Sequence, residues 1–408
     1  MTVRIKSDSN SNSHQRMKQE NRVQVLTLLH QEPLLSRVEL AERTGLTKQT
    51  VTNIIQELLT QDLVMEASTR EADSAGRRPI LLRLRGETLL SAGIQVTRSH
   101  IRGLILNHDA LVLYEAQVSL DSSLMDRDDC GAYVVSSIRG MIHRLLGELP
   151  GEGHFLGIGI GLQGIIDGSG GIVKFSRYLK LFDYPMEEIF RSEFPFPICV
   201  DNLVRAFAAG EVWFHNRREL KHVLCVYLDQ AVGGAILVDG KLYTGSDWQA
   251  AKFGHTKVVR GGKLCRCGKK GCLEAHISIP VILSQLGHRY STMDELVLHM
   301  ESEEVRQLMD ESGRHLGFAL GNAINLLNPE CVIIGGELTK AGPWFERAMR
   351  EEMVETISIP NDRTPVFITH YDQNNGSIGA AALVFNRWIR EPAQMNAAEV
   401  KAWAKMQQ

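Results

Sequence analysis

Between Ala251 and Ala275 the chain reads AKFGHTKVVRGGKLCRCGKKGCLEA. One imidazole, His255, and three thiols, Cys265, Cys267 and Cys272, make the Cys3His donor set preferred by tetrahedral Zn(II). Few backbone paths bring four such donors to one point, and Gly261, Gly262, Gly268 and Gly271 supply the tight turns. With every coordination position taken by protein, no site is left for water, so the metal is expected to be structural. Such binding contributes roughly 10 to 16 kcal/mol of ordering in zinc peptides. The competing readings are a redox pair or coincidence, since CxC is less usual than CxxC. Lys263, Arg266, Lys269 and Lys270 read as the solvated outside of the loop.

The remaining cysteines do not extend this chemistry. Cys130, Cys199, Cys225 and Cys331 are scattered, three of them within apolar runs, which excludes a disulfide framework and suits buried thiols. At 408 residues the chain has room for two to four domains. No apolar run approaches the roughly 18 residues of a membrane helix. The first dozen residues are polar rather than signal-like, so the expected location is cytoplasmic without membrane insertion.

The front of the chain carries helix signals. Met17, Val25, Leu28 and Leu29 fall near helical spacing before Pro33. Ser36 with Glu39 forms a capping box that opens a short helix stopping at Gly45. Thr47 can cap a second helix whose Val51, Ile54, Ile55, Leu58 and Leu59 form one apolar stripe. That stripe forces Lys48, Gln49, Thr50, Thr52, Asn53 and Gln56 toward the wet side near the helix start. Gln and Asn can bond an adenine edge bidentately, and Lys can reach guanine or phosphate. LVMEAST and ILLRLRG then read as strands around the polar loop READSAGRRP, giving a winged helix-turn-helix with Arg77 and Arg78 on the wing for a backbone or minor-groove contact. Any three-helix unit with polar outer faces shares part of this pattern. The double capping, the Ala41, Gly45, Val51 spacing and the basic GRRP together favour DNA.

From Leu90 the texture changes to strands alternating with helices. SAGIQVTRSHIRGLILN and ALVLYEAQVSL read as adjoining strands, MIHRLLGEL as the end of a helix, FLGIGIGLQG as a strand and turn, and PICVDN as a strand before a helix from Val204 to Phe214. VLCVYLDQAVGGAILVDGKLY reads as two strands, and a long helix from Val305 to Leu327 leads to the strand CVIIGG. Such βαβ texture implies an α/β body of two lobes with a ligand cleft at the strand ends. Gly159, Gly161 and Gly164 spell GxGxxG, but a dinucleotide site needs a helix to follow. IIDGSGGIV is instead a hairpin signal with DG at its turn.

These residues together resemble the ROK family, which joins sugar kinases to sugar-responsive transcription factors. The likeness runs from the front helices through GHTKV and CRCGKKGCLE to NPECVIIGGEL and NNGSIGAAAL. It implies an actin-like, ribonuclease H-like two-lobed body and a structural zinc on His255, Cys265, Cys267 and Cys272. It also implies a monosaccharide pocket lined by Asn202, His255 and Glu274. Against the family's kinases, QVTRS (Gln95 to Ser99) stands where DxGGT would hold phosphates, and Leu203 stands where an Asp would activate the sugar hydroxyl. Loss of a general base costs about 10²- to 10⁴-fold. A third loss is Glu337 after Gly335 and Gly336, where kinases have GGG. The expectation is a regulator and not an enzyme. Lys252 replaces the Glu of ExGH, and an ammonium donates hydrogen bonds but accepts none. An anionic effector, a sugar phosphate or sugar acid, would suit it. The alternative is that Lys252 pairs with a local carboxylate.

The resulting expectation is a repressor of carbohydrate uptake or catabolism genes, a homodimer or homotetramer on a two-fold operator of double-stranded DNA. Its control would come from a sugar-derived effector between the lobes or from a docked partner protein. The expected divisions are a flexible terminus at 1–16, the winged helix at 17–87, a first lobe of 88–200 and 375–408, and a second lobe of 201–374 with the zinc loop at 255–274.

Overall fold

The computed structural model describes residues 8–69, 79–214, 219–358, 363–370, 372–391 and 395–406. The front unit consists of α1 (Asp8–Gln31), β1 (Leu35–Ser36), α2 (Arg37–Thr44), α3 (Lys48–Thr60), β2 (Val64–Thr69) and β3 (Ile80–Leu84), its strands in the order β1-β3-β2. Local chemistry fixes the ends of α2 and α3. The Ser36 hydroxyl accepts the Glu39 N–H at 3.3 Å while Glu39 accepts the Ser36 N–H at 2.8 Å. Gly45 closes α2 with φ 70°, a conformation glycine adopts without strain. The Thr47 hydroxyl caps α3 by accepting the Thr50 N–H at 3.1 Å. Val51, Ile54, Ile55 and Leu58 are buried, while Leu59 at the edge of the stripe is only half-buried.

One expectation changes here, and another falls outside the described residues. α1 begins at Asp8, nine residues before the apolar pattern does, so the terminal stretch expected to be flexible at 1–16 is helical from Asp8 on. Helix propagation adds a hydrogen bond per residue once a packed turn exists, and an apolar face is not required for it. The tip of the wing, with Arg77 and Arg78, lies outside the described residues.

The first-lobe sheet runs Ile198–Asn202, His154–Leu162, Leu89–Val96, His100–Asn107, Val112–Ser119, with Met395–Asn396 pairing onto His154–Leu162. The run SAGIQVTRSHIRGLILN is therefore two antiparallel strands and not one. It folds back at Thr97, whose hydroxyl accepts the His100 N–H at 3.1 Å. Helix Cys130–Gly147 buries its apolar stripe in this lobe's core. Helix Asn375–Arg390 packs on the same sheet, close enough that a Cβ on Gly93 would lie 1.9 Å from the Ser377 carbonyl oxygen and one on Gly159 1.8 Å from that of Ala380. The glycine of GIGIG thus admits a helix and not a pyrophosphate. Gly164 leads into Ile165–Asp167, which pairs with Ile172–Ser176 as the hairpin reading expected.

The second-lobe sheet runs Lys241–Leu242, Val232–Val238, Val223–Leu228, Cys331–Gly335, Val366–Ile368, with helices Glu303–Leu327 and Gly342–Thr356 contributing to the same core. Helix Leu203–Phe214 lies between the lobes. It packs against Asn375–Arg390 and sets Phe207 against Tyr227 of the second sheet at 5.0 Å between rings. At its far end Trp213 stacks on His30 of α1 at 3.6 Å and on Phe385 at 5.9 Å. His30 Nδ1 sits 3.1 Å from Nε2 of His108. This buried aromatic seat joins the front unit to the body, and no periodicity announces it. Among the described residues no helix is long and apolar enough to cross a membrane.

Candidate functional site

Three surfaces carry chemistry. On α3, Lys48, Gln49, Thr52, Asn53 and Gln56 are exposed on the side opposite the buried stripe. The Gln49 amide donates to the Asn53 side-chain oxygen at 2.9 Å, which orients the two amides together. The Thr52 hydroxyl donates to the Lys48 carbonyl at 2.7 Å. Thr50 is half-buried, and its hydroxyl lies 2.8 Å from that of Thr47, so its contribution is to the cap.

In the second lobe, one ligand atom each from His255, Cys265, Cys267 and Cys272 lies within 4.8 Å of the others. Cys267 and Cys272 sulfurs are 3.7 Å apart, and Cys265 Sγ is 3.8 Å from His255 Nδ1. The edge of a tetrahedron with 2.3 Å metal–sulfur bonds is about 3.8 Å, so the residues fit a metal ion. Lys257 donates to the Cys272 sulfur at 3.0 Å and offsets thiolate charge. Antiparallel bridges between Lys257 and Cys272 and between Leu264 and Lys270 shape the loop. Behind it, burial beside His315 pushes His276 down to about 4, so this imidazole is neutral at pH 7.

Between the lobes lies a cleft of about 720 Å³. Asn202, Lys252, His255 and Glu274 all line it, together with Gln95, Leu203 and Glu337. Its lining shows what these residues can do. The Asn202 side-chain oxygen accepts the Val204 N–H at 2.9 Å, and its amide donates to the Gly164 carbonyl at 2.9 Å. Asn202 therefore caps helix Leu203–Phe214, with one amide proton left for a ligand. Glu274 accepts the Val232 N–H at 3.2 Å, and its other oxygen is 3.8 Å from Cys265 Sγ. His255 touches both the metal cluster and the cleft, which makes the loop part of the cleft wall.

A base for sugar activation is not built at Leu203. The neighbouring Asp201 is held in a buried pair with Arg205, and burial raises its carboxyl above the ordinary range. Asp229, at the end of Val223–Leu228, is pushed up to about 6 by burial, against the Gln230 N–H that favours its charged form. His100, at the opposite wall, is held down to about 4 by burial and by Arg102. Burial and the Arg205 guanidinium lower Lys252.

Sequence reasoning missed several of these residues. Arg205 reaches Asp201, the Ile166 carbonyl at 2.5 Å and the Trp248 carbonyl at 3.3 Å, and its guanidinium lies 5.5 Å from the Trp248 ring centre. The i,i+4 spacing of Asp201 and Arg205 was a usable signal, although it crosses a strand-to-helix boundary. Trp248, Asp229 and Arg177 carried none, because only the tertiary fold brings them to the cleft.

Comparison with known proteins adds two family matches, the ROK family over residues 91–387 and the MarR family over residues 19–79. A xylose repressor from Caldicellulosiruptor bescii is 28% identical over 357 residues, covering 83% of this chain and 88% of that protein. The solved structure of a ROK family transcriptional regulator, a homolog of the E. coli Mlc protein, matches with a TM-score of 0.76 at 22% identity over 94% of this chain and 98% of its own. A ROK family glucokinase from Streptomyces griseus, solved with glucose and AMPPNP, matches with a TM-score of 0.61 at 21% identity over 73% of this chain and 99% of its own. At these identities the two structures speak for the fold alone.

Proposed function

This chain belongs to the ROK family, and from that premise we propose that it is a sequence-specific DNA-binding transcriptional repressor of carbohydrate uptake or catabolism genes, relieved by a sugar-derived effector in the cleft. One observation carries the reading. Helix Leu203–Phe214 starts at the cleft wall, where Leu203, Val204 and Arg205 line the cavity, and ends at Trp213 against His30 of the front unit. Its 12 residues span about 18 Å. A ligand that changes the packing of its first turn changes the seat of the DNA-binding unit at its last.

Lys48, Gln49, Asn53 and Gln56 read base edges from the major groove, with Thr50 and Thr52 supporting the helix start and Arg77 and Arg78 of the wing contacting the backbone or minor groove. Zn(II) on His255, Cys265, Cys267 and Cys272 is structural, since the four protein donors complete a tetrahedron. When bound it supplies rigidity to the wall that carries His255 and Glu274. A cytoplasmic homodimer or homotetramer places two front units on a two-fold operator. A hundredfold change in operator affinity requires roughly 2.7 kcal/mol of differential binding between the two states.

The side chains present do not favour phosphoryl transfer. Leu203 accepts no proton, Asp201 is committed to Arg205, and Asp229 and Glu337 put carboxylates at the strand ends where a nucleotide's phosphates would be repelled. Footprinting of the full chain on fragments from its own genomic neighbourhood tests the reading, the expected result being a protected site of two-fold symmetry. ATP turnover on a sugar panel that survives purification would replace it with a kinase.

A further inference from the structure

The basic side chains lining the cleft differ in what neutralises them. Arg205 has Asp201. Among the described residues Arg102, Arg177, Lys252 and Arg266 form no ion pair within 4.0 Å. Arg102 donates to the Gln117 side chain and the Gln373 carbonyl. Arg177 donates to the Arg266 carbonyl at 3.2 Å, and Arg266 to the Gln230 carbonyl at 2.9 Å. All these acceptors are neutral. The Lys252 ammonium has no hydrogen-bond acceptor among the described residues, and Asp247, the carboxylate that acts on it, stays beyond ion-pair reach. The local pairing considered from the sequence is thus not made.

The cleft's acidic groups are engaged away from Lys252, and the Arg102 guanidinium acts on Asp229. Glu337 pairs with Lys340 at 3.6 Å, Glu274 accepts the Val232 N–H, and Asp229 accepts the Gln230 N–H at 2.6 Å. Among the described residues Lys252 is therefore left with no carboxylate in ion-pair range, and Arg177 and Arg266 donate only to neutral carbonyls. A partly desolvated ammonium without a counter-charge is costly, and neutral hydroxyls do not supply one. Carboxylate and phosphate oxygens do, through charge-assisted hydrogen bonds, and the unpaired cations draw an anion in from solution.

We propose that the ligand of this cleft is a monosaccharide bearing an anionic group, with the Lys252 ammonium as the residue that selects the anion and Asn202 and Trp248 beside the ring. This rests on reading the chain as an effector-controlled regulator. Carboxylate and phosphate present the same acceptor chemistry to Lys252, and the ligand panel separates them.

Calorimetric titration of the zinc-loaded full chain with D-gluconate, D-glucuronate, D-xylonate and D-glucose 6-phosphate, against D-glucose, D-xylose and inorganic phosphate, tests it. At least one anionic sugar binds, more tightly than every neutral sugar and than phosphate alone, and Lys252→Ala weakens it by about 10- to 100-fold. Lys252→Arg keeps the preference for the anion, and neither variant lowers the melting temperature, because the Lys252 ammonium makes no hydrogen bond or ion pair among the described residues of the free protein. A neutral sugar bound as tightly as the anions, phosphate bound as tightly as the sugar phosphate, no anion bound at all, or an unchanged affinity in Lys252→Ala overturns the proposal. Gel shifts of the same preparations without sugar judge DNA binding separately, so a failed ligand class and a failed regulator reading are told apart.

Discussion

Lys48, Gln49, Thr52, Asn53 and Gln56 come from little more than two turns of α3 and present their side chains to water. The cleft draws Gln95, Asn202, Asp229, Lys252 and Glu337 from separate strand ends and loops of two lobes. On α3 these five residues are joined by two side-chain bonds within the helix, Gln49 to Asn53 and Thr52 to the Lys48 carbonyl. In the cleft, Asn202 caps a helix, Arg205 ties Asp201 to the backbone at Ile166 and Trp248, and His255 belongs to a metal cluster as well. The DNA face is therefore a replaceable surface on a fixed helix. Most of the cleft is part of the framework, and a change at Asn202, Arg205 or His255 is felt as stability before it is felt as specificity, Lys252 being the exception.

Experiments that break this contrast rank by size. Cys272→Ser should have the largest effect, since it removes one donor of four: bound zinc falls from one per chain toward none by elemental analysis, and the melting temperature drops by about 10 °C or more. Trp213→Ala comes next. It empties the seat shared by His30 and Phe385, costs about 3 to 5 kcal/mol in urea unfolding, and leaves operator affinity insensitive to effector.

Asp229→Asn tests the framework side with the opposite sign. The Asp229 carboxyl is raised from 3.8 to about 6, so the folded chain holds this proton more tightly than the unfolded chain does. The stability it contributes is complete below about pH 4 and is lost as pH rises to about 6. Asn at this position should remove that slope and stabilise the protein by about 1 to 3 kcal/mol at pH 7, measured by urea titrations between pH 4.5 and 7. The smallest global effect is expected on α3. Asn53→Ala should leave the melting temperature within about 1 °C and cost about 1 to 3 kcal/mol of discrimination at one base pair, read by gel shifts over single-base operator variants. A large stability loss from Asn53→Ala, or none from Trp213→Ala, would erase the distinction between surface and framework.

Legibility follows the same division. The capping box at Ser36 and Glu39, the Gly45 stop and the stripe from Val51 to Leu58 are interactions within a turn or two, so spacing alone reports them. The Cys3His loop is similarly legible, because donor chemistry restricts the partner set to residues close in sequence. The turn at Thr97 is not announced by its own residues, since TRS carries neither glycine nor proline, and it enters the sequence reading only through the resemblance that sets QVTRS at the family's first strand turn. The start of α1 at Asp8 was missed because its first turns offer no apolar face to detect. The role of Gly159 was hidden for another reason: the atom it makes room for, the Ala380 carbonyl oxygen, is supplied from the far end of the chain. The pair of His30 and His108, the clamp of Arg205 on Trp248 and the unpaired state of Lys252 are likewise facts about distant partners, which periodicity does not encode.

The close seating of helix Asn375–Arg390 on the glycines of the first sheet also sets an order of events during synthesis. The front unit is complete at Leu84, yet the helix that packs on the first sheet and lends Phe385 to the seat of Trp213 leaves the ribosome about 300 residues later. At 5 to 20 residues per second that interval is about 15 to 60 s. Through it the front unit has His108 and then Trp213 to dock against but not Phe385, and the first sheet waits with one face uncovered. A chain cut short before residue 375 would keep the front unit and every residue that lines the cleft, and lose the helix that seats both against the first sheet.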